Sequence, residues 1–385
     1  MARRGPVLLL TAVLVVLAAR PASSASPDDK IDSGLRATLA VGTAPFFVRV
    51  RGAADLSAAE AAVSREERGR TVLQQLTATA RTSQAGVVAL LQARGAAYRP
   101  YWIVNVVRVV GDLALAREIA ARPDVERIDP ERIHPLPDPP TGSGPEGAAA
   151  VDWNITTIGA DRVWLDFGVT GEGIVVGSID TGVEFDHPAL GRSYRGNLGN
   201  GSFAHDYSWW DPTGLCGSEP CDTDGHGTHT MGTMVGGDGP GPFVDDVGVA
   251  PGARWIAAKG CEYDYCTDGS LLSAAQFMLA PTDRAGNNPD PSRRPHIVNN
   301  SWGTVGGDPF FHDVLVAWRA AAILPVFSAG NDGASCGSIG SPADDALAFA
   351  VGASTYGDGL AWFSARGPTL DDRVKPDVAP ERSDP

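Results

Sequence analysis

From residue 152 onward the chain alternates short apolar runs with helical stretches, and each run stops at glycine- or asparagine-rich turns. The runs are 174–179, 255–258, 297–300, 325–329 and 349–351. They are continuous in apolar character rather than alternating, the pattern of strands buried on both faces. Runs of this kind separated by helices predict an α/β fold with a mostly parallel sheet flanked by helices. Catalytic groups in such sheets sit just outside the carboxyl ends of the strands, so the residues following each run are where chemistry is expected.

The segment before this pattern reads differently. Residues 36–134 suit a small α+β unit. A strand is expected at 46–50 and a helix over 66–93, where Val72, Leu73, Leu76, Val87, Leu90 and Leu91 recur at threes and fours. Residues 101–110 are rich in β-branched and aromatic side chains, which predicts a strand. A helix over 113–121 stops before Pro123, and 125–128 closes the unit as a short strand. This order matches a ferredoxin-like arrangement. Residues 135–150 hold five prolines and three glycines, the composition of a domain boundary.

The start of the chain reads as an export signal. Arg3 and Arg4 precede an apolar run at 8–19, and Ser23 and Ala25 give a small-residue cleavage pattern. The run is short for a membrane span, so residues 1–25 are read as a signal peptide and the protein as secreted and extracellular. In a secreted precursor the segment at 135–150 is an obvious place to be cut. The net charge of −15 excludes a general nucleic-acid binder, which needs a basic surface. Cys216 and Cys221 share a C-x4-C spacing with Cys261 and Cys266. Secretion permits disulfides, and two local loops that leave Cys336 free are the simplest pairing. A metal site is the rival reading, although zinc ligands more often come as C-x2-C pairs with histidines; spacing alone does not fix the connectivity.

Four strand ends carry the chemistry. Asp180 follows the first run, in Ser178-Ile179-Asp180-Thr181-Gly182, with His187 seven residues on. Asp-Thr-Gly alone is a common turn. His226 stands in Asp224-Gly225-His226-Gly227-Thr228-His229, where flanking glycines leave its ring uncrowded; a lone histidine is more often structural. Ser301-Trp302-Gly303 ends the third run and could present open backbone to an extended peptide, or be an ordinary turn. Asn331, after Ala329-Gly330, is placed to donate its amide to a developing oxyanion, or merely to cap a turn.

Taken together these segments resemble the subtilisin-like serine proteases, in the family's order and at comparable spacings. Ser364-Ala365-Arg366-Gly367-Pro368 and Lys375-Pro376-Asp377-Val378 extend the similarity, which covers about 152–378 and looks most like the bacillopeptidase F-type branch. The resemblance implies a secreted serine endopeptidase acting through an acyl-enzyme. Asp180 would orient His226, His226 would be general base and then acid, Asn331 would bind the oxyanion, and Ser301, Trp302 and Gly303 would line the substrate cleft, with Trp302 a candidate to narrow it. The unit at 36–134 resembles the family's propeptide, an intramolecular inhibitor and folding aid. Protein or peptide substrates and a monomeric state are expected, with no nucleic-acid partner. The chemistry requires no cofactor and no catalytic metal; structural calcium occurs among relatives, but no ligand set is marked here. His229 matches a structural histidine of the family, and a metal site built from His226 and His229 lacks the intervening glutamate of metalloprotease helices.

The sequence departs from the family in two respects. The family's Gly-Thr-Ser-x-Ala-x-Pro segment, which carries the nucleophile, is not found. After Val378-Ala379-Pro380 the residues run Glu381-Arg382-Ser383-Asp384-Pro385, where the family continues through Ala-Pro-Gly. A truncated or frame-shifted reading of a longer peptidase domain (152 onward) is expected. The 385 residues by themselves are then expected to be inactive and poorly stable. The competing reading is a non-catalytic pseudoprotease that binds peptides through Ser301–Gly303; retention of Asp180, His226 and Asn331 together favours the enzyme.

Overall fold

The computed structural model describes residues 26–136, 151, 153–237, 247–355 and 359–379. The signal-peptide expectation and nearly all of the 135–150 linker lie outside these residues.

The first unit is a four-stranded antiparallel sheet made of β1 (Ala44–Val50), β2 (Ala97–Tyr101), β3 (Val106–Gly111) and β4 (Val125–Pro130), in the spatial order β2-β3-β1-β4. Helices Arg65–Ser83 and Ala85–Arg94 join β1 to β2, and Leu113–Ala120 joins β3 to β4. This is the ferredoxin-like order. Side chains of a strand alternate between its two faces, and β1 uses both. Phe46 and Val48 enter a core with Val87, Leu91, Val107 and Ile119, while Phe47 points the opposite way.

Two expectations for this unit need correction. The helix over 66–93 is broken at Gln84, whose buried amide donates to the carbonyl of Tyr101 (2.8 Å). The break lets Val72 and Leu76 serve one core and Val87 and Leu91 the other; the apolar period runs through it undisturbed, so pattern alone hides it. The strand over 101–110 is a hairpin whose turn spans 102–105. Asn105 secures that turn by donating to the carbonyls of Val50 and Gly52, a job that turn-forming glycine or proline would have announced.

Beyond β4 the chain continues as β5 (Ile133–Pro135) and then builds a six-stranded parallel sheet from β6 (Val175–Asp180), β7 (Trp209–Trp210), β8 (Arg254–Lys259), β10 (Ile297–Asn300), β11 (Leu324–Ser328) and β12 (Phe349–Val351). The spatial order is β12-β11-β10-β6-β8-β7. The intervening β9 (Tyr265–Thr267) leaves this sheet and pairs antiparallel with β5. Helix His226–Val235 covers one face, and Asp268–Leu279 and His312–Ala320 cover the other. Eleven of the twelve residues of Asp268–Leu279 are buried. A helix buried all round has a second cover besides its sheet. Here it is the first unit: Tyr101 donates its hydroxyl to the Gly269 carbonyl (2.9 Å), Arg99 donates to Ser273 (2.8 Å), and Gln276 accepts from the Trp102 backbone (2.7 Å).

Cys216 pairs with Cys221 and Cys261 with Cys266, leaving Cys336 free and exposed. Among the described residues no helix is long and apolar enough to cross a membrane.

Candidate active site

Three neighbouring strands of the parallel sheet deliver the site. β6 ends in Asp180, β10 runs into Ser301–Gly303, and β11 runs into Asn331. Helix His226–Val235 brings His226 over the end of β6, where its Nδ1 donates to Asp180 Oδ1 at 2.6 Å. That oxygen also accepts the Thr181 backbone N–H (2.7 Å), and Thr230 donates to Oδ2 (3.3 Å). Asp180 is almost wholly buried and His226 mostly so. A buried carboxylate so fixed sets the imidazole's tautomer, with Nδ1 carrying the proton and Nε2 free to act as a base.

Burial works against the charged form of His226. The hydrogen bond and charge of Asp180, helped by Asp224 and Asp222, outweigh it and hold the imidazole above its ordinary value of 6.5. Nε2 makes no hydrogen bond to any described residue. It faces a cavity of about 360 Å³ lined by His226, Ser301, Trp302, Gly303, Gly330 and Asn331 among others. The Asn331 side-chain amide likewise bonds to no described group and remains available to a ligand in that cavity. Ser301 accepts from Asn299 Nδ2 (3.0 Å).

Trp302 borders this cavity. Its ring is 4% exposed and lies edge-on against Phe311 and Phe327. The ring packs into the core, while the residue also contributes to the lining of the His226 cavity. His229 and His187 line a separate cavity behind the helix, together with Glu184 and Thr228. His226 and His229 therefore face different spaces. Among the described residues no three His, Cys, Asp or Glu side chains converge as a metal site would require.

Several supporting residues were not singled out in the sequence. Asp222 accepts from the N–H groups of Gly225 (2.9 Å) and Thr228 (2.8 Å) and from the hydroxyls of Thr181 (2.7 Å) and Thr228 (2.6 Å). It ties the free N–H groups of the helix start to the end of β6. Burial pushes its carboxyl up, but the hydrogen bonds from Thr228, Gly225 and Thr181 prevail and hold it below the usual range. Gly225 holds the N-cap position without a side-chain cap, so no capping pattern marks Asp222 in the sequence. Lys259, at the end of β8, is fully buried and donates to the Thr181 carbonyl (2.6 Å), the Thr223 hydroxyl (2.6 Å) and the Glu262 carbonyl (2.9 Å). No local pattern marks it.

The Asp–His pair and the unengaged asparagine amide come together at neighbouring strand ends of an α/β protein, and similarity to known proteins makes that protein a peptidase of the serine class. The chain belongs to the subtilase family, whose model matches residues 171–381. It is 37% identical to bacillopeptidase F of Bacillus subtilis (strain 168) over 83% of its own length and 23% of that protein's. It is 32% identical to subtilisin BL of Lederbergia lenta over 58% of its length and 71% of that protein's. A match at 32% identity to the minor extracellular protease Vpr of Bacillus subtilis (strain 168) covers 51% of the chain and 22% of the relative. The chain thus spans under a quarter of the length of bacillopeptidase F.

Proposed function

We propose that this chain carries the Asp–His and oxyanion-binding half of a serine endopeptidase site, with its first unit as a propeptide lying across the cleft. The observation that carries the reading is the 2.6 Å bond from His226 to buried Asp180, opposite the free amide of Asn331. A serine hydroxyl presented at His226 Nε2 would lose its proton to the imidazole as its oxygen attacks a peptide carbonyl. Asp180 stabilises the imidazolium that forms. The Asn331 amide donates to the oxyanion, an interaction strongest as charge develops. The imidazolium then protonates the leaving amine, and a water repeats the cycle on the acyl-enzyme.

Residues 36–134 act in this reading as inhibitor and folding aid. Support comes from β5, which pairs with β9 at the cleft edge and brings Pro135 to the cavity that His226 lines. Protein substrates, export through residues 1–25, maturation within 135–150 and a monomeric state complete the proposal. A fluorophosphonate that labels activated serines is the test on the protein that carries this chain. Labelling in the wild type and its loss in H226A supports the reading; equal labelling of both contradicts it.

A further inference from the structure

β5 lies along β9 as a substrate strand would, with Ile133 opposite Thr267, His134 opposite Cys266 and Pro135 opposite Tyr265. The pairing is continued by Leu136, whose N–H donates to the Asp264 carbonyl (2.6 Å), and by Asp268, whose N–H donates to the Arg132 carbonyl (3.2 Å). Side chains of such a strand alternate. Ile133 and Pro135 point outward and are exposed, whereas His134 points in and is 4% exposed.

What His134 meets is an acid. Its Nε2 lies 2.6 Å from Asp268 Oδ1, and both side chains are almost fully shielded from water. The second carboxylate oxygen accepts the Arg132 backbone N–H (2.9 Å). Asp268 opens the buried helix Asp268–Leu279, directly after β9. A carboxylate closed off from water needs a cationic or hydrogen-bonding partner. The chain segment lying on β9 supplies both contacts.

We infer that Asp268 is a specificity-determining residue, forming a subsite that selects imidazolium or another cationic side chain at the inward-facing substrate position held here by His134. The inference rests on the cleft reading of β5 given above. An apolar residue at that position would bury the carboxylate unpaired, and an acidic one would add repulsion. An arginine or lysine, reaching further, would restore the pair. The neighbouring groups leave Asp268 the dominant charge of the pocket, since Glu131 is already engaged by Arg108 in a two-point ion pair (2.8 and 2.6 Å) and Arg132 by Asp308.

The test is hydrogen-exchange mass spectrometry on the full chain, reading peptides that cover 132–136, in wild type, H134R, H134L and H134E, each with Asp268 and with Asp268→Asn. Strand β1, in the interior of the first unit, serves in every variant as the control that this unit is folded. Expected is protection of 132–136 in wild type and H134R, and exchange faster by about tenfold or more in H134L and H134E, as for loss of one member of a buried pair. In the Asp268→Asn background, H134R should lose its advantage over H134L. Equal protection of all four position-134 variants with Asp268 present would overturn the subsite. Full exposure of 132–136 in the wild type, with β1 protected, would instead overturn the docking of β5 and with it the propeptide reading.

Discussion

Gly227 and Gly182 approach each other so closely that a Cβ added to Gly227 would lie 2.0 Å from the Gly182 carbonyl oxygen and 3.1 Å from Asp180 Cβ. Gly182 has φ +113°, and a Cβ there would meet the Cys221 carbonyl at 1.9 Å. The helix that carries His226 can therefore rest directly on the end of β6, and this contact sets the His226–Asp180 distance. The substitution G227A is expected to destabilise the fold by about 1–3 kcal/mol, as overpacking does, and to lengthen the His226–Asp180 hydrogen bond. Urea unfolding gives the first effect. A fall in the His226 pKa, followed by NMR, gives the second.

His226 titrates above its ordinary value because Asp180 favours the imidazolium more than burial opposes it. A group whose folded pKa is raised contributes stability that is fully present below its unfolded value, about 6.5, and lost as pH rises through the folded value. Stability of the wild type relative to H226Q is expected to fall across that window, measured by denaturant titration at a series of pH values. General-base action has the opposite dependence. It needs the neutral ring, so activity is expected to rise through the same interval.

Asn331 has no partner within the described chain, so removing its amide leaves the fold untouched. In the protein that carries this chain, N331L is expected to lower kcat by about 10²–10³ with KM little changed, as for loss of one oxyanion donor. Steady-state kinetics on a peptide substrate separates the two parameters. A rise in KM at constant kcat would place Asn331 in ground-state binding instead.

The first unit holds the buried helix Asp268–Leu279 through a few directed contacts. Burial pushes the Tyr101 hydroxyl up to about 12, so it remains a donor to the Gly269 carbonyl across the working pH range. Y101F is expected to weaken docking by about 1 kcal/mol, the net worth of one hydrogen bond, or more where the carbonyl is left unsatisfied. Comparing exchange protection of helix Asp268–Leu279 in Y101F and wild type checks this.

How much the sequence disclosed follows from what each element depends on. The parallel strands were legible because burial on both faces leaves continuous apolar runs, as at Ile297–Asn300 and Phe349–Val351, whose bounds match. β7, only Trp209 and Trp210, has no length to show a period. The pairing of β5 with β9 depends on a partner 134 residues away, as shown by Ile133 opposite Thr267. The break at Gln84 arises from tertiary hydrogen bonds rather than from a breaking residue. Asp180, His226 and Asn331 stood out because each follows a strand run or sits between glycines. Asp222 and Lys259, which hold the site together, act through backbone groups that the structure alone brings near. Trp302 was legible as a cleft residue in its position, but the direction of its ring was not.

The central claim is that Asp180 holds His226 in the tautomer and charge state that activates a nucleophile. Peptide hydrolysis by the protein that carries this chain, wild type against D180N, tests it most directly. The account expects kcat/KM to fall by about 10⁴-fold with folding unchanged, as when the orienting carboxylate of such a triad is neutralised. A D180N protein within tenfold of wild type would contradict it.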